Sequence, residues 1–212
     1  MAKVVGSSLP RVEGYAKVTG GCLYAADYQR PGTLWGKVLR SPVPHARILN
    51  VDTSRVQSLP GVRAVITAND MPPRLIGATL KDMPMLARDR VRFIGEEIAA
   101  VAAVDKDVAE EAVGLIDVEY EELPAVFDPL DAIKQGAPVL HPDYASYEGP
   151  KTMAPDLHNI QTVVRGGKGD IEQGFRESDQ VFENTFRVQM VHQAYIEPYA
   201  CTVEVDSEGR VA

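Results

Sequence analysis

The residues best equipped for chemistry sit late in the chain, in His192-Gln193-Ala194-Tyr195-Ile196-Glu197-Pro198. An imidazole and a carboxylate five positions apart have the donor types to hold a metal or relay a proton. A zincin, however, needs two histidines four apart on one helix with the glutamate between them. Here there is one histidine, and Pro198 breaks any helix. The segment reads first as a strand-end loop with a satisfied polar cluster, and second as a loop lining a neighbouring active site. Gly166-Gly167-Lys168-Gly169-Asp170 has the composition of a phosphate loop without its spacing, because Lys168 is followed by glycine rather than Ser or Thr. It predicts a flexible turn leading into residues 171–178.

Glu96, Glu97, Glu110, Glu111, Glu119, Glu121 and Glu122 could supply the paired carboxylates of a hydrolase. They flank a helix and strand ends, where runs of charge are usually solvated faces. His45, His141 and His158 fall in loops without the company of a triad, and no G-x-S-x-G nucleophile elbow is present. Cys22 and Cys201 are too few for a zinc site or an iron–sulfur cluster and read as two reduced thiols. No catalytic residue and no metal ligand is predicted within the chain.

Composition narrows the class further. Over 212 residues, 45% hydrophobic and 25% charged residues describe an ordinary globular protein. A net charge of −8 disfavours nucleic acid, whose phosphates call for a basic surface. No apolar run approaches the roughly 20 residues of a membrane span, and the first residues have no signal-peptide core. The expectation is a cytoplasmic protein.

The best-marked element sequence runs from Arg92-Phe93-Ile94-Gly95-Glu96-Glu97 to Tyr120-Glu121-Glu122-Leu123-Pro124. Ile98–Val104 is a short uncharged apolar run, the pattern of a strand buried on both faces. From Asp105, apolar residues recur at Val108, Ala109, Ala112, Val113 and Ile116, the spacing of an amphipathic helix. Asp105 and Asp107 suit its N-cap and first turn. Asp117–Tyr120 alternates as a half-buried strand, and Pro124 stops it. Earlier strands are expected at 34–40, 48–52 and 62–67, with a short helix over 54–58 capped by Asp52 or Thr53. Residues 69–90, with Pro72, Pro73 and Pro84, read as an ordered loop. The Pro-, Gly- and Tyr-rich stretch 134–159 reads as a linker. Beyond it, Phe182, Phe186, Val188 and Met190 alternate with polar neighbours and predict a strand over 181–190. A second strand is expected over 200–206, with Asp206-Ser207-Glu208-Gly209 as a hairpin turn. These last strands lack enough partners for a core, so residues 160–212 are expected to open a domain that another segment or chain completes.

In order along the chain, several segments resemble one family. They are Arg11-Val12-Glu13-Gly14-Tyr15-Ala16-Lys17-Val18-Thr19-Gly20, Tyr24-Ala25-Ala26-Asp27, and Leu39-Arg40-Ser41-Pro42-Val43-Pro44-His45-Ala46-Arg47-Ile48. Leu59-Pro60-Gly61-Val62, Val91-Arg92-Phe93-Ile94-Gly95-Glu96, Tyr120–Pro124, Gly169-Asp170 and His192–Pro198 follow. Together they resemble the amino-terminal part of the molybdopterin-binding large subunit of the xanthine dehydrogenase/aldehyde oxidase family. That family includes carbon monoxide dehydrogenases and 4-hydroxybenzoyl-CoA reductases.

The resemblance implies an α+β chain: an α/β-hammerhead domain followed by the first strands of an incomplete molybdenum-cofactor domain. The expected organisation is an arm over 1–17, the hammerhead over 18–130, a linker over 131–159 and the opening of the cofactor domain over 160–212. It implies molybdopterin with molybdenum in the complete subunit and none bound by this chain alone. It also implies [2Fe–2S] clusters and FAD on partner domains or subunits. The expected reaction is an oxidoreduction of an aldehyde, N-heterocycle, CO or aromatic acyl-CoA, incomplete in this chain as a fragment or split subunit. The family's glycine-rich cofactor loop and late glutamate are expected beyond Ala212. His192 and Glu197 are the nearest candidates for cofactor-side residues. Self-association through open strands is a further expectation. The alternative reading is a stand-alone hammerhead module with a structural or assembly role and no redox activity.

Overall fold

The computed structural model describes residues 5–149, 159–164, 166–197 and 199–212. Two compact units divide it: Leu34–Glu177, and the chain up to Thr33 together with Ser178–Ala212. In chain order the regular elements are α1 (Gly14–Val18), β1 (Trp35–Arg40), β2 (Ala46–Asp52), α2 (Ser54–Gln57) and β3 (Val62–Thr67). Then come β4 (Leu75–Ile76), β5 (Met83–Pro84), β6 (Arg90–Val91), β7 (Glu97–Ala103), α3 (Lys106–Gly114), β8 (Asp117–Glu122), α4 (Pro129–Ala132) and α5 (Ile171–Glu177).

The larger unit is built on β7. Its uncharged run is the centre of an antiparallel sheet of order β1-β7-β3, with Val38 opposite Ala100 on one side and Ile66 opposite Ala100 on the other. Ile98, Ala99 and Ala103 are fully buried, as expected of a strand covered on both faces. Successive side chains enter different cores, as the two-residue period of a strand requires. Ala99 and Val101 pack with Val56, Ala112 and Ile116. Ile98 packs with Ala46, Ala87 and Val91.

α3 forms where its periodicity predicts. The Asp105 carboxylate accepts from the Val108 amide at 2.8 Å, satisfying one of the donors a helix start leaves open. Its buried Ala109 and Ala112 allow close approach to the β1-β7-β3 sheet. The chain then joins a second antiparallel sheet, of order β6-β2-β8. The strand–helix–strand unit therefore bridges two sheets, since β7 and β8 are not neighbours. Oppositely charged residues face each other across both sheets, Arg40 opposite Glu97 and Arg47 opposite Glu121.

Residues 69–90 are the expected ordered loop, with β4 and β5 as a small ribbon within it. The Arg88 guanidinium ties this loop down by donating to the carbonyls of Ala68 and Met71. At α2 the Asp52 carboxylate accepts from the Ser54 amide at 2.9 Å, while the Thr53 side chain makes no capping bond.

In the smaller unit the outcome differs from the sequence pattern. Residues 181–190 carry strand alternation but form no strand, because a strand needs a neighbour for its amide and carbonyl groups. The predicted hairpin turn does form. Val205 bridges Val211, Glu204 and Ala212 exchange two backbone bonds of 2.9 Å, and Asp206 accepts from the amides of Glu208 and Arg210.

Two outcomes are expected. Asp105→Ala should cost about 1 kcal/mol, the usual worth of an N-cap, in urea unfolding. Amide exchange in the isolated chain should be fast over 181–191 and slow over 97–103, and uniform slow exchange in a monomer would contradict the open strand.

Candidate functional site

The motif that closes β7 at its start is a pinned turn. Gly95, at φ +94°, reverses the chain, and its amide donates to the Ser41 carbonyl at 2.8 Å while the Ser41 amide donates to the Glu96 carbonyl at 2.9 Å. Glu96 is buried. Its carboxylate accepts from the Arg92 amide at 2.5 Å and lies 3.9 Å from the Arg92 guanidinium. Burial pushes the Glu96 carboxyl above its ordinary value, against the opposing pull of the Arg92 amide bond and charge. The Arg92 Nε donates in turn to the Leu140 carbonyl at 3.1 Å, so the turn grips the segment read as a linker.

Beside this node is a cleft of about 280 Å³. Its walls include Met71, Leu75, Arg88 and Arg92 from one side and Asp143 and Tyr147 from the 138–149 segment. The Tyr147 hydroxyl lies 3.0 Å from His141 Nδ1. Burial, the largest cause, with the Arg92 charge behind it, holds His141 below the ordinary histidine value. His45, read as a lone loop histidine, is a core residue. Its Nδ1 lies 2.7 Å from the Pro124 carbonyl, while Nε2 is buried without a partner among the described residues. No nucleophile or acid among those residues accompanies it.

The late loop lies elsewhere, in the smaller unit. His192 Nδ1 accepts from the Ala194 amide at 3.0 Å, with Ala194 at φ +51°. The His192 ring lies 5.2 Å from that of Tyr195, which stacks edge-on against Tyr199 at 4.6 Å. His192 and Glu197 are both exposed, and no bond joins their side chains. Gly166–Asp170 forms no hydrogen-bonded turn and bends only at Gly169, at φ +80°, before the Asp170 carboxylate accepts from the Gln173 amide at 3.0 Å to start α5.

Comparison with known sequences supplies the family. Residues 19–124 match the model of the aldehyde oxidase and xanthine dehydrogenase a/b hammerhead domain. The chain belongs to that family. Residues 154–212 match the molybdopterin cofactor-binding domain. Over 94% of its length this hammerhead chain is 40% identical to a probable xanthine dehydrogenase subunit of Bacillus subtilis, covering 25% of that protein. It is 35% identical, over 98% of its length, to the nicotinate dehydrogenase large molybdopterin subunit of Eubacterium barkeri, covering 46% of that subunit. Among solved structures, reconstituted CO dehydrogenase from Oligotropha carboxidovorans superposes with a TM-score of 0.60 at 38% identity, over 65% of this chain and 18% of that one. The chain thus spans a quarter to a half of the curated relatives it matches.

The residues present can be tested against a pterin. Every described residue from Val164 to Ala212 is exposed, and a Cβ added at Gly166, Gly167 or Gly169 would meet no atom within 4 Å. A cofactor cradle has buried donors and closely approaching backbone, so these residues by themselves do not fit the group.

Glu96 gives a direct test of the node. A carboxyl with a raised folded value contributes stability that is fully present below its ordinary value of 4.5 and lost as pH rises through the raised one. Glu96→Gln should flatten this part of the curve, so its stability relative to wild type should rise with pH in denaturant titrations.

Proposed function

We propose that the chain is the hammerhead and the opening of the cofactor domain of a molybdenum hydroxylase large subunit, working in the cytoplasm. The observation that carries this reading is the order of the two family matches, hammerhead at 19–124 and cofactor domain at 154–212, in one polypeptide. The exposed apolar residues of the second segment support it. Phe182, Phe186, Val188 and Met190 are 81%, 87%, 95% and 98% exposed, a row of side chains that only a covering sheet would stabilise. The remainder of the molybdenum domain is that cover. In the assembly the hammerhead is a rigid scaffold, and residues 160–212 add strands to the domain that holds molybdopterin. His192 and Glu197 lie on the loop nearest the cofactor.

Electrons would then pass to [2Fe–2S] and flavin groups on partner domains or subunits, and the substrate would be an aldehyde, an N-heterocycle, an aromatic acyl-CoA or CO. Activity belongs to the assembled enzyme.

The test is purification from cells supplied with molybdate, followed by metal and pterin analysis of the complex. Molybdenum and pterin should appear only when the rest of the molybdenum domain is present, together with iron- and flavin-bearing partners. Stoichiometric molybdenum and pterin on residues 1–212 alone would overturn the incomplete-site reading. A pure chain that binds none of these partners would favour a structural hammerhead module.

A further inference from the structure

The segment that composition marks as a linker is fastened to the hammerhead at several points. Arg92 Nε donates to the Leu140 carbonyl. The Lys81 amide donates to the Glu148 carbonyl at 2.8 Å, forming an isolated antiparallel bridge. Gly149 approaches so closely, at φ +130°, that a Cβ there would lie 2.5 Å from the Thr79 carbonyl oxygen. Asn159 ties the segment to itself: its amide donates to the carbonyls of Ala132 and Pro138 at 2.9 and 2.8 Å, and its oxygen accepts from Leu140 at 2.9 Å. Tyr147, within the segment, is buried.

One titratable ring sits inside these fastenings. His141 follows the carbonyl that Arg92 grips, and its Nδ1 faces the Tyr147 hydroxyl. A neutral ring with its proton on Nε2 accepts from that hydroxyl. A second proton would place a cation among the charges of Arg92 and Arg90, with Asp82 as the opposing carboxylate. Asp143 and Asp89 face Tyr147. Arg92 also lies 3.9 Å from the buried Glu96 carboxylate, whose carboxyl burial pushes above its ordinary value.

We propose that residues 138–149 form a proton-sensitive strap, docked on the hammerhead while the His141 ring is neutral and released when that ring is protonated. Release removes Asp143 and Tyr147 from one wall of the cleft and exposes the apolar side chains of Met71 and Leu75. The sign follows from the direction of the shift. A histidine held below its ordinary value of 6.5 contributes docking stability above that pH, and this is lost as pH falls through the lowered midpoint.

The experiment is amide exchange on the full chain from pH 7.5 downward, with protection corrected for the intrinsic exchange rate. The reporter is the Lys81 amide, whose bond to the Glu148 carbonyl fastens the strap, and Val101 in β7 is the internal control. Protection of the Lys81 amide should fall by about tenfold for each unit of pH between the ordinary histidine value of 6.5 and the lowered His141 midpoint and level off below it, while Val101 holds. The midpoint should coincide with that of the His141 ring followed by NMR in the wild-type chain. His141→Asn, which keeps an acceptor for Tyr147 and cannot take up the proton, should keep the Lys81 amide protected throughout. Protection that does not vary with pH in the wild type overturns the proposal. So does a loss of protection whose midpoint departs from that of the ring, or one that persists in H141N.

Discussion

The strand β7 is the constraint on which the hammerhead depends. It is the shared wall of two cores: Ala99 and Val101 point into one and Ile98 into the other. The buried Ala109 and Ala112 let α3 lie close, Ala112 packing in one core with Ala99, Val101, Val56 and Ile116. A larger residue on either partner would push helix and sheet apart, because close-packed interiors have no spare volume. The bulkier Ile98 fills the opposite core, where Ala46 and Ala87 leave room. The alternation of facing along one strand therefore makes it a wall of both cores.

The pinned turn ahead of β7 extends that order outward. Glu96 is costly to bury and is retained with two Arg92 contacts, the amide and the guanidinium. Because Arg92 also holds the Leu140 carbonyl, the position of the later segment is set by the same strand that divides the cores. The smaller unit has no such organiser among its described residues. Its hairpin is held by local bonds around Asp206 and by the ion pair of Arg30 with Glu204, while its apolar side chains remain on the surface.

Legibility in the sequence followed the range of the interaction. α3 and its cap were readable because Asp105, Val108 and the apolar spacing lie within one or two turns of each other. β7 was readable from its own composition. Its partners were not, for β1 and β3 lie some thirty to sixty residues away and nothing local encodes the register. The linker reading of 134–159 rested on Pro and Gly content, which reports local backbone preference and not distant contacts such as Arg92 with Leu140 or Asn159 with Pro138. The opposite failure occurred at 181–190, where alternation is present and the neighbour that would make it a strand is absent from the described residues. For the candidate site, the loop of His192 and Glu197 was visible by residue type, whereas the buried His45 and the Glu96 node needed the fold.

The order of synthesis gives the central position of β7 a cost. Both of its neighbours, β1 and β3, leave the ribosome first, and neither pairs with the other. Until residues 97–103 emerge, two strands wait with unpaired backbone and apolar faces, a state prone to misassociation. The nascent hammerhead thus closes late and all at once, and it is during that wait that a holdase chaperone would have most to bind.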